Sequence, residues 1–319
     1  MGLLVEGKWH TQWYDTSSTG GDFKRRESQF RHSIGTADFE AEAGRYHLFV
    51  SLACPWAHRV LIFRKLKKLD PIIGITVVDP LMLENGWVFS EISKDNPIEG
   101  IECLHQVYTS VDDRYTGRVT VPVLWDKKQR TIVNNESAEI IRMLNSAFDE
   151  ITGDHTDYYP QSLRSKIDEL NLLVYDNINN GVYRVGFATS QQAYEAAFQR
   201  LFDTLDLIER RLERQRFLMG QQITEADWRL FTTLIRFDAV YYGHFKANLR
   251  RIEDYPNLSN YLRDLYQVDG ISETVDIEHI KTHYYFSQTS INPTQVIPVG
   301  PILDFARAHN RDRFEHQIL

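Results

Sequence analysis

Short apolar runs and helical patterns alternate between residues 45 and 147 of the chain. Apolar stretches of strand length predict four strands, at residues 45–50, 73–78, 119–125 and 130–133. Apolar residues at helical spacing predict one helix that begins at residue 54 and another over residues 137–147. Such alternation is typical of a sheet covered by helices, so residues 45–150 are expected to form an α/β domain.

From about residue 156 the pattern becomes wholly helical. Apolar residues recur every three or four positions in two long stretches, Leu163, Ile167, Leu170, Leu173 and Val174, then Phe198, Leu201, Phe202, Leu205, Leu207 and Ile208. Thr224 and Asp227 have the spacing of a capping box, which predicts a helix start, and further helical patterns cover residues 256–268 and 272–282. We therefore expect an all-helical second domain over residues 156–319, with a Pro- and Gly-rich tail.

Two segments fit neither pattern. Residues 1–44 are rich in Gly, Ser, Thr and charge, which predicts an irregular arm; its aromatic residues are expected to anchor it, namely Trp9, Trp13, Phe23, Phe30 and Phe39. Residues 80–116 interrupt the α/β alternation and are too long for an ordinary connection. We expect this insertion to be either functional or without fixed structure.

The composition narrows the class of protein. With 319 residues, of which 42% are hydrophobic and 25% charged, the chain is long enough for two soluble globular domains. A net charge of −8 and short, interrupted basic runs argue against a nucleic-acid surface. No apolar run approaches the ~18 residues of a membrane span, and the N-terminus lacks the apolar core of a signal peptide. Because two cysteines in the chain favour a reducing compartment, we expect a cytoplasmic protein.

One of the two cysteines stands where a predicted strand meets a predicted helix. Cys54 follows the apolar run Tyr46–Val50 and precedes Pro55, which suits the first helical position because that position needs no backbone N–H. A thiol at this N-cap faces unpaired amides and the positive end of the helix dipole, which can lower a cysteine pKa from about 8.5 to well below 7.5. We therefore expect Cys54 to be a nucleophile; the alternative is a small apolar residue that only packs.

The second cysteine and two spaced histidines are the other candidates for metal or redox groups. Cys103 has no CxxC spacing to Cys54 and no neighbouring His and Cys cluster, so it is expected to pack. His279 and His283 have the spacing of paired metal ligands on a helix, but Ile280 stands where the metalloprotease motif needs Glu. We therefore expect no metal site.

Two further segments have features of a small-molecule site. Val119–Leu124 is predicted to be a strand that contains Pro122, and a strand with proline lies at an edge or a bulge, where backbone groups stay free. After it, Glu136 and Ser137 open a helix whose N-terminus can hold a carboxylate, while Glu136 can bind an ammonium group. Together these segments suit a ligand with peptide-like edges and both charges.

The combination of these features resembles the glutathione transferase superfamily. Five segments are similar to its Xi class, the glutathionyl-hydroquinone reductases, namely Cys54–Ala57, Gly117–Asp126, Asn134–Ser137, Asn180–Tyr183 and His283–Tyr285. The resemblance extends over nearly the whole chain. It implies a thioredoxin-like N-terminal domain, an all-helical C-terminal domain, a homodimer and no metal.

The resemblance also implies roles for particular residues. Glutathione is the implied co-substrate and binds beside Cys54, the implied catalytic thiol. The implied glutathione-binding residues are Trp87 and Arg118 along the tripeptide, Val121 at its backbone before a cis Pro122, and Glu136 and Ser137 at its γ-glutamyl end. Three tyrosines are implied to be catalytic residues around the aromatic substrate, namely Tyr183, Tyr241 and Tyr284.

The implied reaction is the reduction of a glutathionylated hydroquinone. The Cys54 thiolate attacks the glutathionyl sulfur, hydroquinone leaves, and a Cys54–glutathione mixed disulfide remains, from which a second glutathione releases oxidised glutathione. Carbon is a poor leaving group unless the ring accepts a proton and its oxygens are stabilised, and tyrosine hydroxyls are suitable donors for that purpose.

Two other functions fit the same sequence. An omega-like thioltransferase or dehydroascorbate reductase would use the same thiol on a disulfide or a small oxidant, and a non-catalytic glutathione-fold module would serve assembly or ligand carriage. Without the resemblance, each of the three tyrosines is compatible with simple packing, Arg118 with a surface position, and Glu136 with the first turn of a helix.

Overall fold

The computed structural model describes residues 2–12, 14–24, 27–90, 93 and 95–314. The chain divides into two compact units, each assembled from segments that are distant in sequence. The first unit comprises Met1–Tyr14, Arg25–Thr156 and Glu278–His283, and the second comprises Asp15–Lys24, Asp157–Ile277 and Tyr284–Leu319. The segment predicted as an arm is therefore shared between the two units.

The first unit is an α/β structure. In chain order its elements are β1 (Leu3–Val5), β2 (Lys8–His10), β3 (Tyr46–Val50), α1 (Pro55–Leu66), β4 (Gly74–Val77), α2 (Leu104–Thr109), β5 (Gly117–Arg118), β6 (Val123–Asp126), β7 (Thr131–Asn134), α3 (Ser137–Ser146) and α4 (Asp149–Thr152). Four strands form a mixed sheet in the order β4-β3-β6-β7, in which β3 pairs in parallel with β4 and antiparallel with β6. All five residues of β3 are buried, as expected for a central strand with a continuous apolar run.

The helix α1 begins where the sequence predicted. Pro55 occupies its first turn, and Cys54 is the N-cap residue with an extended backbone conformation. Arg64 and Lys65 lie in its last turn, where positive charges interact favourably with the helix dipole. This helix packs against α3.

The N-terminal segment is more regular than predicted. The strand β1 pairs antiparallel with both β2 and β5, so these three form a second small sheet. Phe23 and Phe39 are buried, which confirms two of the predicted aromatic anchors, whereas Trp13 lies outside the described residues. The strands were missed because three residues carry too little alternation to be recognised.

The start predicted for the strand at residues 119–125 is wrong. Gly117–Arg118 forms β5 in the small sheet, β6 begins only at Val123, and Val121 and Pro122 lie between them, joined by a cis peptide bond. Pro122 has no backbone N–H to donate to a ladder, so a central strand cannot include it in its pairing. The edge position predicted for this strand is also wrong, because β6 lies between β3 and β7.

The insertion predicted at residues 80–116 contains ordered structure. Its helix α2 begins with a capping box, in which the Gln106 side chain accepts from the backbone N–H of Cys103 at 2.8 Å. Val88 bridges Cys103, and the N–H of Gly86 donates to the carbonyl of Leu83 at 3.1 Å to close a turn. The sequence did not predict α2, because six residues span less than two helical turns.

The second unit is built from helices, as predicted. Its helices are α5 (Arg164–Val174), α6 (Gly181–Phe187), α7 (Gln191–Leu212), α8 (Glu225–Arg236), α9 (Pro256–Tyr266) and α10 (Ile277–Ser287), the last of which also contributes Glu278–His283 to the first unit. Two π-helical segments, Tyr175–Asn179 and Phe237–Tyr241, extend α5 and α8. None of the helices in the described ranges combines the length and the apolar character needed to span a bilayer.

The helix predicted at residues 272–282 lies five residues further along the chain. Ser272–Thr274 forms a single 3₁₀ turn, and Val275 then adopts an extended conformation that interrupts the helical path. The helix α10 starts at Ile277 and continues to Ser287. As a result, Tyr284 lies within a helix rather than beyond its end.

The capping box predicted at the start of α8 is confirmed. Its Asp227 carboxylate also accepts hydrogen bonds that the sequence did not predict. The buried carboxylate of Asp227 accepts from the backbone N–H of Thr224 at 2.8 Å, as a capping box requires. It also accepts from the backbone N–H of Leu218 and from the hydroxyl of Tyr261 in α9, both at 2.8 Å. One carboxylate therefore joins α8, the loop before it and α9.

Replacing this carboxylate is expected to destabilise the protein strongly. Asp227→Ala should lower the free energy of unfolding by at least about 3 kcal/mol, because three buried donors lose their acceptor at about 1–3 kcal/mol each. Asp203→Ala, at an exposed position of α7, is the matched control and should change it by less than about 0.5 kcal/mol. Urea denaturation measures both, and equal effects of the two variants would contradict the expectation.

Candidate functional site

The junction between β3 and α1 presents the cysteine. Ser51, which is fully buried, turns the chain after β3: its carbonyl accepts from the N–H of Cys54 at 3.2 Å, and its hydroxyl accepts from the N–H of Ala53 at 3.2 Å. Cys54 follows as the N-cap residue of α1 and is half-buried. The turn and the helix together fix the position of the thiol at the end of a central strand.

The thiol of Cys54 contacts a second residue that the sequence singled out. Its Sγ donates to the carbonyl of Val121 at 3.6 Å, so the structure brings Cys54 and the Val121–Pro122 segment together. The N-terminus of a 12-residue helix favours a negative charge at this thiol. Cys103 is also an N-cap residue, that of the six-residue α2, but burial, and secondarily the charge of Glu102, raises the pKa of its thiol.

A buried tyrosine connects this segment to the start of α3. The hydroxyl of Tyr108 donates to the carbonyl of Thr120 at 2.8 Å and accepts from the Asn135 side-chain amide at 3.2 Å. Thr120 precedes Val121 and Asn135 precedes Glu136, so one phenol holds both segments that the sequence associated with a ligand. Burial raises the pKa of Tyr108, which keeps its proton on the donor oxygen. Sequence reasoning missed this residue, and nothing in its local pattern marks it.

The start of α3 is formed as the sequence predicted. Glu136 is the N-cap residue, and its carboxylate accepts from the backbone N–H of Ala138 at 3.1 Å and from the hydroxyl of Ser28 at 3.2 Å. Ser137 is buried at the first helical position. The backbone amides of this first turn form an N-terminus of the kind that binds carboxylates.

Trp87 and Arg118 are held by neighbouring groups of the first unit. Trp87 is buried, and its ring stacks on that of His283 with 4.8 Å between ring centroids. The guanidinium of Arg118 lies 4.3 Å from the ring centroid of Tyr14 and donates to the carbonyl of Gly2 at 3.3 Å. Both side chains are therefore fixed in part by protein contacts.

The three predicted tyrosines lie together in the second unit. The hydroxyl of Tyr284 is 2.6 Å from that of Tyr183 and 3.1 Å from that of Tyr241. All three side chains are buried. Burial, followed by the charges that its two neighbours would carry if ionised, raises the pKa of Tyr284 well above its usual range. The phenol of Tyr284 therefore stays neutral and is able to donate a hydrogen bond.

Close packing and unusual backbone geometry position this cluster. Phe245 lies 5.5 Å from Tyr183, centroid to centroid, and a Cβ added at Gly186 would come within 2.2 Å of the Phe245 ring. Tyr241 is the last residue of one π-helical segment, and the other π-helical segment ends shortly before Tyr183. Such segments occur frequently at functional sites, and the sequence pattern did not reveal them.

The two spaced histidines have protein partners. His283 Nδ1 lies 3.0 Å from the carbonyl oxygen of Pro80, and His279 Nε2 lies 3.5 Å from the hydroxyl of Ser51. Across the residues that the structure describes, no three His, Cys, Asp or Glu side chains are grouped in a way that could hold a metal ion.

Comparison with known proteins gives a consistent result. A family model of the glutathione S-transferase N-terminal domain matches residues 53–147, and one of the C-terminal domain matches residues 191–264. The chain is 54% identical to the glutathionyl-hydroquinone reductase YqjG of Escherichia coli (strain K12) over 324 aligned residues, which cover 98% of this chain and 99% of the relative.

Two solved structures are similar over nearly the full length of the chain. The glutathione-bound structure of YqjG, a glutathione transferase homolog from Escherichia coli K-12, has a TM-score of 0.88 at 51% identity and covers 98% of this chain and 99% of its own. A Xi class GST from Natrialba magadii has a TM-score of 0.91 at 44% identity, covering 98% and 97% respectively.

Proposed function

Because the chain belongs to the Xi class of the glutathione S-transferase family, we propose that it reduces glutathionyl-hydroquinones to hydroquinones with glutathione as co-substrate. The observation that carries this proposal is the thiol of Cys54 at the N-terminus of α1. A helix N-terminus stabilises thiolate over thiol, and thiolate is the form that attacks sulfur. The sequence relatives named as glutathionyl-hydroquinone reductases support the choice of substrate.

In the first half-reaction the Cys54 thiolate attacks the sulfur of the glutathionyl-hydroquinone thioether. The ring carbon bonded to sulfur first takes up a proton while a ring hydroxyl loses one. A sulfur–sulfur bond then forms, the sulfur–carbon bond breaks, and its electron pair passes into the ring to give a phenolate, which takes up a proton on oxygen. The products are hydroquinone and a mixed disulfide between Cys54 and glutathione. In the second half-reaction, the thiolate of a free glutathione attacks the glutathionyl sulfur of this disulfide, which forms oxidised glutathione and regenerates the Cys54 thiolate.

Glutathione binding is proposed to use the segments that surround the thiol. The backbone of Val121 pairs with the backbone of the tripeptide before Pro122. Its γ-glutamyl carboxylate is bound by Ser137 and the first amides of α3, and its ammonium group by the carboxylate of Glu136. The Tyr108 hydroxyl supports this assignment, because it ties the Val121 segment and the start of α3 together.

Trp87 and Arg118 are proposed to line the rest of the tripeptide. An indole ring offers an apolar surface to the cysteinyl and glycyl parts, and a guanidinium can form a charge-assisted hydrogen bond to the glycyl carboxylate. Trp87 is already ordered by His283 and Arg118 by Tyr14, so the two side chains lose little conformational entropy when glutathione binds.

The tyrosine cluster is proposed to stabilise the aromatic leaving group. Negative charge develops on the ring oxygens as the carbon–sulfur bond breaks, and neutral phenols stabilise it by donating hydrogen bonds. The high pKa of Tyr284 keeps its phenol protonated, as this role requires. Tyr183 and Tyr241 hold that hydroxyl in place and share the charge through their hydrogen bonds.

Removal of the thiol is expected to abolish turnover. Cys54→Ala should lower kcat for hydroquinone release by at least about a thousandfold, because the mixed disulfide needs a thiolate and burial raises the pKa of the other thiol, that of Cys103. Cys103→Ser is the matched control: serine is a good N-cap, so α2 is kept and activity should remain near that of the unchanged protein. Turnover with excess glutathione is followed by chromatography of hydroquinone, and activity retained in Cys54→Ala would refute the mechanism.

The tyrosines are expected to matter for the aromatic substrate but not for simple disulfides. Tyr284→Phe should lower kcat for a glutathionyl-hydroquinone by about a hundredfold, the usual effect of losing one donor to a developing oxyanion. Reduction of a small glutathione mixed disulfide by the same variant should be nearly unchanged, because sulfur is a good leaving group. Tyr266→Phe, at a half-buried position of α9, is the control. Equal losses with both substrates would indicate that Tyr284 has only a structural role.

We propose further that the protein is a cytoplasmic homodimer. Two cysteines in 319 residues, one of them required as a thiol, suit a reducing compartment that supplies glutathione. The tail of the second unit exposes the apolar side chains of Val296, Val299 and Ile302, which a partner chain could cover. Sedimentation at micromolar concentration should give the mass of two chains, and the mass of one chain would contradict the dimer.

A further inference from the structure

Neither His279 nor His283 is assigned a contact with substrate in the reaction proposed above. Both lie on Glu278–His283, the part of α10 that belongs to the first unit. Four residues apart on a helix, they project from the same face. The residues that these two histidines contact therefore show what this face of α10 packs against.

His283 contacts both ends of the Trp87 loop, defined here as residues 79–88. Its Nδ1 lies 3.0 Å from the carbonyl oxygen of Pro80, and its ring stacks on Trp87 at 4.8 Å with 21° between the planes. Because a carbonyl only accepts, Nδ1 carries the proton, and this hydrogen bond fixes the ring in the plane that Trp87 stacks against. Both side chains are buried, at 6% and 7% exposure.

The other bonds of the Trp87 loop fix its backbone. The N–H of Asp79 donates to the carbonyl of Val88 at 2.9 Å, and the N–H of Leu104 donates to the carbonyl of Trp87 at 2.9 Å. At the tip of the loop, Trp9 Nε1 donates to the carbonyl of Glu84 at 2.8 Å. These bonds determine where the loop lies, whereas the orientation of the indole ring depends on the side chain packed against its face.

His279 makes a second contact from the same face of α10. Its Nε2 lies 3.5 Å from the hydroxyl of Ser51, the residue that begins the turn to Cys54. This face therefore touches both the turn that presents the thiol and the loop that presents Trp87.

We infer that His283 is a positioning residue, which holds the indole of Trp87 in the orientation that binds the glutathionyl group. The inference rests on the proposed function, because that proposal assigns Trp87 to glutathione. It gives His283 a role in substrate binding that requires no metal.

The test uses a reaction that depends on glutathione recognition but not on the hydroquinone. The reduced protein reacts with oxidised glutathione: the Cys54 thiolate attacks one sulfur, a Cys54–glutathione disulfide forms, and one glutathione thiolate leaves. The rate is followed by intact mass over a range of oxidised glutathione concentrations. His283→Ala should raise the half-saturating concentration about fivefold to tenfold, with the maximal rate nearly unchanged.

Two conservative variants separate the contacts of His283. His283→Phe keeps a ring against Trp87 and loses the hydrogen bond to Pro80, so it should recover part of the lost affinity. His283→Asn keeps a donor and loses the ring, and should recover less. His155→Ala, at an exposed position of the first unit, is the control and should behave like the unchanged protein. If His283→Ala does not fold, the comparison of His283→Phe with His283→Asn carries the test.

A double-mutant cycle decides whether His283 acts through Trp87. In a Trp87→Ala background, His283→Ala should have almost no further effect on half-saturation, because the two side chains contribute as one unit. Independent effects of the two substitutions, or an unchanged half-saturation in His283→Ala, would overturn the inference. If Trp87→Ala alone has no effect, the assignment of Trp87 to glutathione fails instead, and the two failures are thus distinguishable.

Discussion

The position of one thiol at the N-terminus of α1 is the constraint around which the first unit is arranged. The central strand β3 ends at a buried serine, the turn places Cys54 at the N-cap, and Pro55 starts the helix without an unpaired N–H. The helix dipole and the amides of the first turn favour a negative charge there. A thiol in this position needs no neighbouring base to ionise, because the helix itself favours the thiolate, which is the form that the proposed reaction uses.

Within each unit, contacts between residues that are distant in sequence hold the parts of the candidate site. The hydroxyl of Tyr108 joins the Val121 segment to the start of α3, and His283 joins both ends of the Trp87 loop. In the second unit the tyrosine hydroxyls meet because Gly186 allows the ring of Phe245 to approach closely. Each of these contacts removes conformational freedom from a residue that the proposal assigns to substrate, which would lower the entropic cost of binding and reaction.

Local patterns predicted the fold class, and both the comparisons and the structure confirm it. The central strand and α1 were predicted because a continuous apolar run and a proline at a helix start are local signals. One error concerns pairing: the placement of β6 between β3 and β7 depends on strands that the local pattern does not link. Sequence spacing likewise does not predict that Tyr183, Tyr241 and Tyr284 lie together, because they are far apart in the chain. They were grouped from the family resemblance alone.

The central claim is that Cys54 itself takes the glutathionyl group from the aromatic ring. A single-turnover experiment tests it most directly: reduced protein is mixed with a glutathionyl-hydroquinone in the absence of free glutathione, and peptide mass spectrometry locates any adduct. The account predicts one equivalent of hydroquinone per chain and an equal amount of glutathione disulfide-bonded to Cys54, with no further turnover. Hydroquinone released without an adduct, or an adduct on Cys103 instead, would contradict it.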